Sequence, residues 1–165
     1  MVKESALVDS ALLKPIGMIS LPDLPAFNAG EKYRLGMTDG MKIGYIGSNF
    51  NTHFGGKKEK NLQSVELRIH LLRQRSKDPA IIAELGGEEK VETYLATMFA
   101  MMKKQGTGQT GDLLVNGWAN IFYIKDDDDT LWAVRCIWLV SGWYVGARSL
   151  SGPNGWSAGD QVFSR

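Results

Sequence analysis

The sequence predicts an α+β fold, in which an antiparallel β-sheet of about five to six strands packs on one or two helices. Two observations predict it. Strand patterns stand on both sides of a helical middle segment, and the run from Trp118 to Leu150 reads as a three-stranded meander. The length of 165 residues suits a single domain that buries a sizeable core.

Composition excludes several classes of protein. The chain carries 19 basic and 18 acidic side chains, so no overall field favours nucleic acid or a membrane surface. A single cysteine cannot form a disulfide framework. No uninterrupted apolar stretch approaches the length of a membrane-spanning helix. The apolar part of the N-terminus is too short and too charged for a secretory signal. We therefore expect a soluble, cytoplasmic protein.

The first forty residues read as a leader. A short amphipathic helix is predicted over 5–14, and the two prolines of 20–27 hold their preceding residues extended. The leader's apolar residues can lie against a folded body: Leu21, Leu24, Phe27 and Tyr33. We predict a strap over 1–40, with a disordered tail as the alternative, followed by one α+β domain over 41–165.

The next elements are a strand, a loop and a second strand. Glycines on both sides set off a strand over 41–46, and a polar, glycine-containing stretch predicts a loop over 51–61. Apolar and polar residues then alternate over 65–71. That period of two is typical of a strand in a sheet with one solvated face.

Two helices are predicted, over about 79–85 and 88–104. Asp78-Pro79 is an N-cap followed by proline, and Gly86 ends the first helix. The second helix opens with glutamates and closes with lysines, which complement its dipole. Its apolar stripe is spaced to face a sheet: Val91, Leu95, Met98, Phe99 and Met102.

The C-terminal third is predicted as strands near 118–125, 130–140 and 143–150, with a last strand near 161–164. With turns of even length at 126–129 and 141–142, one face of the meander is wholly apolar and should receive the long helix. It holds Ala119, Ile121, Tyr123, Trp132, Val134, Cys136, Trp138, Trp143, Val145 and Ala147.

The opposite face of the meander is the candidate binding site. It combines aromatic rings with polar and cationic groups: Trp118, Asn120, Phe122, Arg135, Tyr144 and Arg148. In this register the two arginines lie directly opposite one another, which is unfavourable unless an acid or an anion stands between them. A slip of one residue would move a whole strand to the other face.

Three explanations of the mixed face remain open. The leader could cover it, with Asp23 or Glu31 answering the arginines. It could be a self-association or partner interface, where aromatic residues and arginine are common. It could also bind a small anionic molecule or single-stranded nucleic acid, although the near-zero net charge disfavours nucleic acid.

Other motifs predict no catalytic residue, metal or cofactor. The glycine-rich run over 106–111 follows a predicted helix and precedes a strand, the reverse of a dinucleotide-binding turn. The aspartates over 126–129 lack the glycine and glutamate of a calcium-binding loop. Neither His53 nor His70 has metal ligands at suitable spacing, and Cys136 is predicted in the core.

Two C-terminal runs, Leu-Val-Asn-Gly-Trp-Ala-Asn-Ile-Phe-Tyr-Ile over 114–124 and Gly-Trp-Ser-Ala-Gly-Asp-Gln-Val-Phe-Ser-Arg over 155–165, resemble a family of small uncharacterised bacterial proteins. The resemblance extends to the predicted helices near 80–105. It implies a bacterial, single-domain protein, and no activity or site residue. Sequence therefore favours a non-enzymatic binding or self-association domain, with a small-molecule-binding protein or small enzyme as the alternative.

Overall fold

The computed structural model describes residues 11–165. Most of the helix predicted over 5–14 lies outside them. The strands, in chain order, are β1 (Leu13–Leu21), β2 (Phe27–Asn28), β3 (Gly36–Thr38), β4 (Met41–Ile46), β5 (Lys58–Glu59), β6 (Val65–Leu72), β7 (Glu92–Thr93), β8 (Asn120–Lys125), β9 (Leu131–Leu139), β10 (Gly142–Ser149) and β11 (Gln161–Ser164). The helices are α1 (Ala29–Lys32), α2 (Ser48–Phe54), α3 (Asp78–Glu84), α4 (Glu88–Val91) and α5 (Leu95–Lys104).

A mixed sheet of nine strands forms the centre of the fold, in the order β1-β6-β11-β8-β9-β10-β4-β3, with β7 also paired to β8. Strands β2 and β5 form a separate small sheet. The α+β class is confirmed, but the sheet has more strands than predicted and is not purely antiparallel. β4 runs parallel to β10, and β8 runs parallel to β11 and β7. These pairings join distant segments, so no local pattern reports them.

The first face of the sheet, which we call the α5 face, carries the larger core. Side chains of α5 and α2, among them Met98, Met102, Phe50 and Phe54, pack there against Cys136 and other side chains of the central strands. The prediction that the long helix packs on this face of β9 and β10 is confirmed. Two aromatic residues of the predicted leader, Phe27 and Tyr33, are buried in the same core.

The predicted register of β8 is wrong by one residue. Asn120 pairs with Cys136 and Phe122 with Val134, so both side chains lie on the α5 face. The connection from Lys125 to Leu131 contains an odd number of residues, with Asp129 in a left-handed conformation at φ 65°. A connection with an odd number of residues, in place of the even number predicted, moves each side chain of the strand to the opposite face of the sheet. Because β8 is buried on both faces, its composition shows no alternation that would reveal this.

The predicted register of β10 is wrong by two residues, which preserves its faces. Val140 and Ser141 make the turn, and Gly142 already pairs with Leu139. Gly142 has a φ of 120°, and a side chain there would meet the Lys42 carbonyl oxygen at 2.7 Å. The glycine is therefore required by the close approach of β4, and its positive φ after the turn favours glycine as well.

The second face of the sheet is covered over only part of its width. Helices α3 and α4, together with Trp156, bury side chains of β6, β8 and β11 in a second core that includes Ile81, Tyr123 and Val162. Toward β4 the cover ends, and Tyr45 and Leu139 are 52% and 38% exposed. This uncovered part of the face is where the candidate site lies.

The helix predicted over 88–104 is interrupted. Residues 92–93 form the short strand β7, which pairs with β8 beside Tyr123 and Ile124. The Thr93 hydroxyl also donates to the Tyr123 carbonyl at 3.1 Å. The loop predicted over 51–61 is wrong as well, because Phe50 and Phe54 hold helix α2 in the core and β5 follows it.

The part of the predicted strap that the structure describes, residues 11–40, does not line the groove on the mixed face. Strand β1 extends the main sheet by pairing with β6, and the hairpin of β3 and β4 crosses residue 40, where the leader was predicted to end. Asp23 accepts from the Ser64 amide at 2.6 Å, and Glu31 accepts from the Asn28 side chain at 3.4 Å. Neither carboxylate forms an ion pair with Arg135 or Arg148, so residues 11–40 do not provide the predicted cover.

Helix α5 begins on a buried carboxylate from a distant strand. Glu59 is 8% exposed, and its two oxygens accept from the Leu95 and Ala96 amides at 2.9 Å each. Lys57 lies 3.3 Å from the same carboxylate. A negative group at a helix N-terminus satisfies amides that have no partner within the helix.

We expect Glu59→Ala to lower the free energy of unfolding by about 2–4 kcal/mol, because it leaves two buried amides without an acceptor and removes the carboxylate beside the Lys57 ammonium, which keeps the Lys125 carbonyl. Urea unfolding followed by circular dichroism measures this. Glu66→Ala, at an exposed position of β6, is the control and should change stability by no more than about 0.5 kcal/mol. Equal effects of the two substitutions would contradict the role of Glu59.

Candidate functional site

A groove of about 400 Å³ opens on the uncovered part of the second face. Strands β9, β10 and β4 form its base, and the start of α2 forms one wall. We call it the arginine groove and define it by the residues on which its chemistry depends: Tyr45, Asn49, Arg135, Tyr144, Gly146 and Arg148. Asn49 ties the wall to the base, because its side-chain amide donates to the Ala147 carbonyl at 3.3 Å.

Gly146 leaves the floor of the groove open. It pairs with Arg135 across the two strands, and a Cβ at this position would lie 3.4 Å from the Arg135 Nε atom. Gly47 lies beside the same strand, just after β4, and its amide donates to the Val145 carbonyl at 2.8 Å. Glycine inside a strand often marks a close approach of backbone or ligand.

Arg148 is held in a single orientation. Its Nη2 atom donates to the backbone carbonyls of Asn154 and Gly155, at 2.8 and 3.4 Å. The guanidinium lies 4.0 Å from the centre of the Trp156 ring, within range of a cation–π interaction. An anion that binds Arg148 would therefore meet an arginine that is already ordered.

Arg135 has no comparable partners. Its guanidinium lies 5.8 Å from the Trp156 ring, and within residues 11–165 it donates no hydrogen bond and forms no ion pair. Burial lowers the pKa of Arg135, and the positive charge of Arg148 lowers it further, against a partial opposing effect of Asp160. Two half-buried guanidinium groups thus share one cavity without a contacting carboxylate.

The Trp156 ring under both arginines is fixed by a buried aspartate. The Asp78 Oδ1 atom accepts from the Trp156 indole and from the Tyr123 hydroxyl, each at 2.7 Å. Asp78 is 3% exposed. Burial raises its pKa, although the two hydrogen bonds and the charge of Arg148 oppose the rise. Asp78 was predicted as an N-cap, but its side chain makes this tertiary junction instead.

An aromatic pair forms the other end of the groove. The rings of Tyr45 and Tyr144 are 5.3 Å apart between centroids and inclined by 32°. The Tyr144 hydroxyl bonds Ser141 Oγ at 3.2 Å. Ile137 pairs with Tyr144 across the strands, so the surface beside the rings is apolar.

The structure brings together three of the six side chains that sequence placed in the site, namely Arg135, Tyr144 and Arg148. Asn120 is fully buried on the α5 face, where its side chain bonds the backbone of Leu114 and the carbonyl of Cys136. Phe122 stacks on Phe163 at 4.6 Å in the same core. Trp118 is 45% exposed and lies outside the groove.

The site predicted from the sequence did not include Tyr45, Gly146 or Trp156. Gly146 carried a signal, because a glycine within an otherwise apolar strand often marks a close approach. Tyr45 could not be placed, since the parallel pairing of β4 with β10 joins segments about a hundred residues apart. Trp156 reaches the site through a loop that has no repeating pattern.

The described histidines and the cysteine lie outside the arginine groove. No group of three or more histidine, cysteine, aspartate or glutamate side chains in residues 11–165 could hold a metal ion. His53 stacks on Trp132 at 4.2 Å and lies 3.7 Å from Asp126 at the hairpin turn. Cys136 is fully buried, and burial raises the pKa of its thiol, so the reactive thiolate is disfavoured.

Comparisons with protein-family models, with curated proteins and with solved structures gave no match to this chain. No helix within residues 11–165 is long and apolar enough to cross a membrane.

The raised pKa of Asp78 gives a pH dependence with a definite sign. A group whose folded pKa is raised contributes stability that is complete below its unfolded pKa and is lost as the pH rises through the folded pKa. Asp78→Asn keeps an oxygen acceptor for Tyr123 and Trp156 but cannot ionise. We therefore expect the stability of the variant, relative to the unmodified protein, to increase as the pH rises from about 4 to 7.

Urea unfolding at a series of pH values measures this difference. The same comparison with Asp126→Asn is the control, because hydrogen bonds from Thr130, Trp132 and Asp128 outweigh burial and lower the pKa of that carboxyl. Removal of the Asp126 carboxylate should therefore reduce the free energy of unfolding most at higher pH. Parallel pH profiles for the two variants would contradict the assignment.

Proposed function

We propose that this chain is a non-enzymatic binding domain that holds a small anionic ligand in the arginine groove. The observation that supports the proposal is Arg135, a half-buried guanidinium that faces a second arginine and contacts no carboxylate within residues 11–165. Buried charges in proteins are normally paired. A bound anion would supply the missing partner.

The repulsion between the two guanidiniums gives the anion a direct energetic advantage. Burial lowers the pKa of Arg135, and the positive charge of Arg148 lowers it further. An oxyanion between them replaces repulsion with charge-assisted hydrogen bonds, which are about twice as strong as neutral ones. The ordering of Arg148 by Trp156 and the 154–155 carbonyls removes part of the entropic cost of binding.

Symmetric self-association through the groove is less favourable. In a twofold dimer the same patch faces itself, so the arginines of one protomer would approach those of the other. Among the described residues, none that lines the groove is a carboxylate that could compensate. We therefore favour binding of a small ligand over the self-association that the sequence also suggested. Sedimentation in the experiment below detects a two-copy assembly.

An enzymatic role has less support than binding. Within residues 11–165, the groove lining includes no histidine, cysteine, aspartate or glutamate, so no imidazole, thiol or carboxyl group stands beside the arginines as a general base. Extended nucleic-acid binding has less support too, because the formal net charge is only +1.

Arg135→Gln tests the proposal. We expect the unmodified protein to bind inorganic pyrophosphate in isothermal titration calorimetry, and the variant to bind at least about tenfold more weakly, because a hydrogen-bonded charge contributes about 1.5–3 kcal/mol. Arg34→Gln removes the same charge at an exposed position outside the groove and should leave affinity unchanged.

Circular dichroism shows whether both variants keep the fold, and sedimentation shows whether they remain in the same oligomeric state. Undetectable pyrophosphate binding at low salt would refute the proposal. Equal affinities of Arg135→Gln and Arg34→Gln would refute it too, because the interaction would then depend on overall charge alone.

A further inference from the structure

We infer that the ligand of the arginine groove is a phosphate monoester that carries a planar ring, with the ring against Tyr45 and Tyr144 and the phosphate between Arg135 and Arg148. The inference rests on the proposed anion-binding function and specifies the class of ligand. It follows from the order of side chains along one strand, from their exposure and from the size of the groove.

Strand β10 sets the spacing between the two ends of the groove. Tyr144, Gly146 and Arg148 are alternate residues and therefore point to the same face. Arg135 stands opposite Gly146, between the tyrosine and the second arginine. At a rise of about 3.3 Å per residue, the level of Arg135 lies about 7 Å from that of Tyr144. The ligand therefore needs a spacer of a few atoms between an apolar part and its anion.

The tyrosine end is suited to a flat ring. Tyr45 is 52% exposed, although tyrosine in a sheet normally buries its ring, and it lies beside Tyr144 with the two rings inclined by 32°. Ile137 and Leu139 continue the apolar surface around them. Aromatic rings recognise planar ligands by offset stacking, and a flat ring covers such a surface at little conformational cost.

The arginine end is suited to a dianion. Two guanidiniums supply two positive charges and several donors, and none of the groove-lining residues is an acid. A phosphate monoester carries about −1.5 to −2 charge near neutral pH and has three acceptor oxygens. A single carboxylate would neutralise only one of the arginines, so the phosphate is the better match.

The volume of the groove restricts the ligand to a small molecule. About 400 Å³ lies in the lower part of the range for small-molecule sites, so one ring and one phosphate fill it. Gly146 provides the space beneath the spacer, because any side chain there would point into the groove beside Arg135. The space at Gly146 therefore selects ligands by their shape, independently of the charges of the two arginines.

Four probes separate the contributions of ring and phosphate: adenosine 5′-monophosphate, adenosine, glycerol 3-phosphate and inorganic phosphate. We expect adenosine 5′-monophosphate to bind at least tenfold more tightly than glycerol 3-phosphate or inorganic phosphate. Adenosine should bind more weakly than the monophosphate by a similar factor. Isothermal titration at low and at moderate salt measures all four.

Two variants test the geometry without removing a charge. Tyr144→Leu should weaken adenosine 5′-monophosphate severalfold and leave inorganic phosphate unchanged, whereas Trp118→Leu, an exposed aromatic outside the groove, should affect neither. Gly146→Val should weaken the monophosphate at least tenfold. Gly56→Val is its control, because a side chain at Gly56 meets nothing within 4 Å.

The outcomes distinguish this inference from the function on which it rests. If glycerol 3-phosphate and adenosine 5′-monophosphate bind equally well, the ring subsite is refuted and the anion site stands. Equal responses of Tyr144→Leu and Trp118→Leu would refute the ring subsite as well. If none of the phosphates and no pyrophosphate binds, both proposals fail.

Discussion

One carboxylate oxygen joins three parts of the molecule on which the groove depends. Asp78 begins helix α3, and its Oδ1 atom accepts from Tyr123 on the central strand β8 and from Trp156 in the C-terminal loop. A buried carboxylate is unfavourable unless it is hydrogen-bonded, and here two bonds of 2.7 Å offset part of its desolvation. The same bonds fix the indole ring over which Arg148 lies. Helix docking and the position of Arg148 therefore depend on a common junction.

The partial cover of the second face explains its mixed composition. Where α3, α4 and Trp156 lie over the sheet, the face is a second hydrophobic core. Where the cover ends, the strands present tyrosines, apolar side chains and arginines to an open groove. A face that is part core and part open groove shows neither the alternation of a solvated sheet nor the uniform apolarity of a buried one. Its ambiguity in the sequence is thus a consequence of the architecture.

Prediction from sequence succeeded where a short segment controls its own structure and failed where a distant segment decides. Strand β6 alternates strictly, and its limits were predicted closely. The 88–104 helix was predicted as continuous because its apolar stripe is continuous, yet the pairing of β7 with β8 divides it. The meander strands were located correctly, but an odd-length turn exchanged the faces of β8 and removed Asn120 and Phe122 from the site. Arg135, Tyr144 and Arg148 remained together because a slip of two residues preserves the face of a strand.

By itself, the sequence determined the α+β class, the positions of most strands and the presence of two arginines and a tyrosine on one face of β9 and β10. These properties follow from periodicity, glycine placement and helix-end charges, which act over a few residues. Only the tertiary structure decided that β4 lies beside β10, that Trp156 lies beneath the arginines and that helices α3 and α4 do not reach the groove. Each of these depends on contacts between residues far apart in the chain, whose free energy becomes apparent only when the surfaces meet and exclude water.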